Sequence, residues 1–171
     1  MAQSTDIKEG ALSSDTKTNI NNNFTELYNG LFNGIAPVNV TASTVTLAQG
    51  THSGRVTTLN RAAGVAVTLP AATGTGNTYT IEIGTTITSN TTTVTCAGSD
   101  KYEGLAWVFS DDAGNAVKAF DSGGTTSVIT LDGTTKGGYV GHLITLRDVA
   151  SAKWHVTSMG KATGVEVTPF S

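Results

Sequence analysis

Apolar and polar residues alternate with a period of two through much of this chain. Val65, Val67 and Leu69 alternate with Ala66 and Thr68, and Pro70 ends the run. Tyr79, Ile81 and Ile83 then alternate with Thr80, Glu82 and Gly84. A period of two puts one set of side chains on a single face of a pleated strand, so both runs predict half-buried β-strands. The small and turn-forming residues of AATGTGNT separate them, and a third, β-branched run covers Thr91 to Cys96. Together they predict an antiparallel meander, with a threonine-rich face toward water and an aliphatic face toward a core.

The period changes near the N-terminus. Ser13, Ser14 and Asp15 suit a helix N-cap. Beyond them Ile20, Phe24, Leu27 and Leu31 recur at spacings of four, three and four, and Tyr28 and Phe32 widen the stripe. This is one face of a helix, and it fits the a and d positions of about two heptads. Gly30 and Gly34 are natural stops. Asn19, Asn21, Asn22 and Asn23 are poor helix formers, so this helix is marginal alone and needs a surface to pack on. Three surfaces qualify: the chain's own β-body, further copies as a short three-helix cluster, or another protein. Residues 1 to 13 are polar and aperiodic and read as an arm.

Strand patterns continue elsewhere. Thr44 to Leu47 and Val56 to Leu59 are strand-like. Leu105, Trp107 and Phe109 alternate, as do Val117 to Phe120, so residues 105 to 120 predict a hairpin. Ser127 to Leu131, Tyr139 to Leu146 and Trp154 to Thr157 follow, with RDVASAK as a turn. Val165, Val167 and Phe170 in the tail are spaced to bury one face. The expected fold is all-β: an antiparallel sandwich or barrel of about nine strands, with a short N-terminal helix and arm. The division falls between residues 1–34 and 35–171.

Composition narrows the function. Only 13% of the 171 residues are charged, the net charge is −3, and the ten Lys and Arg are scattered singly. Nothing here would neutralise a phosphate backbone, so nucleic acid is not an expected partner. No apolar run approaches the ~20 residues of a membrane span, and MAQSTDIKEG lacks the apolar core of a secretory signal. The single Cys96 excludes an intrachain disulfide and fits a chain made in a reducing cytoplasm.

Catalytic patterns are weak. His52, His142 and His155 stand apart from any zinc-type cluster. Gly74 and Gly76 lack the spacing and the following helix of a dinucleotide fingerprint, and the loop around Lys136 lacks P-loop spacing. Ser53, between His52 and Gly54, is no nucleophile elbow. Asp111, Asp112, Asn115 and Asp121 offer oxygens to Ca²⁺ but match no EF-hand loop, and a polar turn is the simpler reading. Glu82 and Glu103 are the one imaginable glycosidase pair, with nothing to set them opposite each other. Trp107 and Trp154 read as core anchors, with an aromatic sugar platform as the alternative. No cofactor, metal or enzymatic activity is expected.

Two stretches carry a resemblance. DTKTNINNNFTELYNG (15–30) resembles N-terminal segments of tailed-bacteriophage virion proteins. RAAGVAVTLPAATGTGNTYTIEIGTTITS (61–89), with VASAKWHV and the terminal TPFS, is similar to small phage capsid decoration, or cement, proteins. The resemblance implies a virion protein on the outer capsid surface, made in the host cytoplasm, often a homotrimer that clamps neighbouring major capsid protein subunits. Ile20, Phe24, Leu27, Tyr28 and Leu31 then become the expected oligomerisation or capsid-docking residues, with the arm as a capsid contact. Linking weak contacts through identical copies raises avidity by roughly 10²–10⁴ without new contacts. Tail-fibre proteins share the N-terminal style, so the alternative is a head- or tail-fibre segment that binds host glycans.

Overall fold

The alternation of the sequence becomes a two-sided core. Val65, Val67, Leu69, Tyr79, Ile81 and Ile83 are all buried, while Thr78, Thr80 and Glu82 between them face outward. The structure, a computed structural model, describes residues 14–28, 36–111 and 117–171. The chain divides into two units, residues 1–36 and 37–171.

In the first unit α1 spans Ser14–Tyr28. It begins at the expected capping residues, and the Thr18 hydroxyl donates to the Ser14 carbonyl one turn back.

The second unit holds eleven strands among the described residues. They are β1 (Val38–Val40), β2 (Thr44–Thr46), β3 (Val56–Leu59), β4 (Ala66–Thr68), β5 (Thr78–Ile83), β6 (Thr92–Thr95), β7 (Lys101–Ser110), β8 (Val117–Asp121), β9 (Val128–Leu131), β10 (Leu143–Ala150) and β11 (Lys153–Ala162). One turn of helix, α2 (Gln49–His52), precedes β3. A seven-stranded sheet runs β1-β3-β5-β10-β11-β7-β8 and a four-stranded sheet runs β2-β4-β6-β9. One buried cluster draws on both sheets, so they form a sandwich. Val45, Val67, Val94 and Ile129 make a row across the small sheet. On the inner face of the large one, Val38, Thr57, Ile81, Ile144, Ser158, Ala106 and Phe120 line up in register.

The expectation of a β-rich, two-sided fold is met, but the strand pairing is mixed and not antiparallel throughout. β1, β3 and β5 pair in parallel, and so do β2, β4 and β6. From β1 to β6 the chain crosses to the opposite sheet at every connection, winding as a coil. The meander is therefore replaced. β4 and β5 lie in different sheets, and AATGTGNT is a crossing between layers, not a hairpin loop. The predicted hairpin over 105–120 is present as β7 and β8. β10 lies later than the expected strand over Tyr139 to Leu146, because Gly137, Gly138 and Gly141 adopt positive φ and keep the preceding residues in a turn. The tail differs too. Residues up to Ala162 complete β11, Val165 and Val167 are exposed, and Phe170 alone of the three is buried, tilted against Tyr102.

Gly104 marks a close backbone approach between β7 and β11. Its φ is +145°, and a Cβ there would run into the Val156 carbonyl of β11. Ser122 braces the strand here: its hydroxyl accepts from the Gly104 N–H and donates to the Tyr102 carbonyl. We expect Gly104→Ala to lose at least about 2 kcal/mol in urea denaturation through backbone strain and collision. Gly50→Ala, where a Cβ meets open space, will be unchanged or slightly stabilised.

Candidate docking surfaces

The predicted stripe lies along α1, and the helix contains no buried residue. Phe24, Leu27 and Tyr28 are 60%, 64% and 61% exposed, and Ile20 is half-buried. Ile20, Phe24 and Leu27 line one shallow depression together with Asn23. Leu31 and the arm lie outside the described residues. Side chains of this size, set at helical spacing and open to water, form a ready contact face for another helix or a groove.

A second apolar surface was not expected. The outward residues of β7 are Leu105, Trp107 and Phe109. In register beside Trp107 stand Met159 on β11 and Ala119 on β8, and Leu143 of β10 lies beside Met159. Val117 pairs with Phe109. Leu105, Val117, Leu143 and Met159 are all substantially exposed. Trp107 is thus not the core anchor it was taken for; it faces outward, whereas Trp154 is fully buried beneath the opposite face of the same sheet. The signal was present in LAWVF. Its five residues are apolar at both parities, as expected of a strand that meets apolar surroundings on both faces.

Two ion pairs lie beside this patch. Lys153 Nζ lies 2.6 Å from Glu103 Oε1, and Lys161 Nζ lies 2.7 Å from Asp111 Oδ2 and 4.9 Å from the centroid of the Tyr139 ring. The Lys161 hydrogen bond holds the Asp111 carboxyl below the usual range. An outward face of this composition suits an apolar partner.

The candidate chemical groups occupy structural positions. Glu82 is half-buried on the outer face of β5, and Glu103 is tied to Lys153. His52 Nδ1 accepts from the Ala48 N–H and holds α2 in place. Burial pushes the Cys96 thiol up to about 11, which keeps it protonated. Among the described residues no group of three or more His, Cys, Asp or Glu could hold a metal ion. Of the calcium candidates, Asp112 and Asn115 lie outside those residues.

His142 is the most strongly perturbed base. Its Nδ1 accepts from the Gly138 N–H at 3.1 Å, so Nε2 carries the proton and donates to Ser158 Oγ at 2.9 Å. Gly137 and Gly160 press against the ring, and a Cβ on either would collide with it. Burial of the ring lowers its pKa to about 4.

A scan against protein-family models finds no match, and a search of curated proteins finds none either.

The His142 environment fixes an acid response. Its folded pKa of about 4 lies below the unfolded value of ~6.5, so protons bind the unfolded chain more readily. His142 therefore leaves stability flat above pH ~6.5 and lowers it as pH falls toward 4, by on the order of 3 kcal/mol in all. His142→Gln will be less stable at pH 7, and its urea midpoint will change much less between pH 6.5 and 4 than that of the parent.

Proposed function

We propose that this chain is a non-enzymatic structural protein of a tailed-phage head. It docks on the outer surface of the capsid, clamps neighbouring major capsid protein subunits, and acts as a homotrimer. The observation that carries this reading is the solvent-facing apolar stripe of Ile20, Phe24 and Leu27 on a helix with no buried residue. A helix of fifteen residues containing four asparagines is marginal in isolation. A partner that covers the stripe supplies the missing stabilisation. The heptad-like spacing favours identical helices as that partner, and the similarity of residues 15–30 and 61–89 to phage virion proteins favours a capsid as the shared substrate of the assembly. The outward patch around Trp107 gives the body a second surface, and a clamp needs two: one for its own copies and one for what it clamps.

The test is Phe24→Asp combined with Leu27→Asp. Both side chains are exposed, so the β-body will keep its unfolding free energy in urea to within about 0.5 kcal/mol. Light scattering at micromolar concentration will show a trimer for the parent and a monomer for the variant, and the variant will fail to coat particles. A parent that is monomeric, or a variant that still assembles and coats, removes the assignment of the stripe.

The outward aromatics support a second reading, a head- or tail-fibre segment that binds host glycans. Trp107 and Phe109 lie on one exposed sheet face, and aromatic faces stack on sugar rings. If that reading holds, a glycan array will give hits that Trp107→Ala abolishes, while trimer formation is unaffected. A silent array with intact particle coating decides for the capsid clamp.

A further inference from the structure

Behind the crossing loop from β4 to β5 lies a small cavity of about 70 Å³. It is lined by Gln49, Thr73, Thr75, Asn77, Tyr79 and Trp154, with Pro70, Ala71 and Asp148 completing the wall. Trp154 is fully buried, and its indole N–H has no hydrogen-bond partner. A buried donor left without an acceptor costs about 1–3 kcal/mol, so retaining one beside a polar cavity calls for an occupant. Tryptophan can only donate, so the occupant must present an acceptor.

Charge narrows the choice further. Asp148 is buried, and its carboxylate accepts from four donors: the N–H groups of Thr73, Gly74 and Thr75 and the Thr75 hydroxyl. Those four fill the lone-pair sites of a carboxylate and leave none for a cation. Its negative charge, set in the wall, disfavours an anion. At roughly 10–15 Å³ of cavity volume per water, the cavity takes about five waters or one group the size of an acetamide.

We propose that this cavity is a binding site for a small neutral group bearing a carbonyl-type acceptor, held by the Trp154 indole N–H, with the Gln49 and Asn77 amides and the Thr73 hydroxyl as further polar partners. A free small amide and the acetamido arm of an N-acetylated sugar share this chemistry. The site depends only on the β-body and is independent of the function assigned to α1 or to the Trp107 patch.

The chain has two tryptophans, which makes the experiment direct. In ¹⁵N-labelled protein the two indole N–H signals are separate probes, assigned through Trp107→Phe, a substitution on the outward face. Acetamide will shift the Trp154 signal in a saturable way and leave Trp107 unmoved, while acetate and methylammonium at equal concentration will not saturate it. N-acetylglucosamine shifting the same signal where glucose does not identifies the acetamido arm as a source; a response to acetamide alone identifies free small amides. Trp154→Phe, which removes the donor and keeps an aromatic ring, will leave no saturable change elsewhere in the cavity. The proposal is overturned if acetamide gives no saturable shift at Trp154, which would mean that the cavity holds water only, or if charged and neutral probes act alike.

Discussion

One buried carboxylate holds the two layers of this protein in register. Asp148 sits on β10, at the centre of the large sheet, and takes four donors from the segment that brings the chain across from the small sheet. Asp100, just before β7, adds a second anchor by accepting from the Ala72 N–H at 2.7 Å. A crossing loop of this kind carries backbone donors that no strand ladder satisfies, and inside a protein such donors must find partners. Burial alone would raise the Asp148 carboxyl, but the hydrogen bonds from Thr75, Gly74 and Thr73 outweigh it and leave the group below its ordinary range. The ionised form is the one these donors require, so charge and loop geometry stabilise each other.

From that anchor the remaining architecture follows. With the crossing fixed, β5 lies beside β3 and β10, and their inward Tyr79, Ile81, Ile144 and Leu146 meet the inward residues of β4, β6 and β9. Tyr79 packs edge-on against Trp154 at 5.6 Å. His142 performs the same task at the other end of β10, as a neutral ring whose two nitrogens tie the preceding turn to β11. The buried ionisable groups of the body thus hold connections. The surfaces open to partners are apolar: the stripe of α1 and the row around Trp107. On the β-body, an outward face of this kind can be covered by a neighbour without a charge being buried.

In β4 and β5 the sequence by itself determined which residues face inward. Alternation assigned the buried and outward sides of β4 and β5 correctly, because a period of two is a property of a single pleated strand and needs no knowledge of its neighbours. The helical stripe was legible on the same grounds, since 3.6-residue spacing is equally local. The hairpin of β7 and β8 could be read because its partners are adjacent in sequence.

What the tertiary structure alone decided is who pairs with whom. Nothing local distinguishes a loop that turns back within one sheet from a loop that crosses to another, so β4 and β5 looked like neighbours when they belong to opposite layers. The distinction rests on Asp100 and Asp148, distant in sequence from the loop that they hold. RDVASAK reads as a turn, yet Arg147 to Ala150 continue β10, and the donors of the crossing loop make Asp148 an interior residue. The side of the sheet occupied by Trp107 was hidden for a similar reason. Alternation says that Leu105, Trp107 and Phe109 share a face, but which face meets the core depends on the layer packed beneath β7, and that is a property of the whole fold.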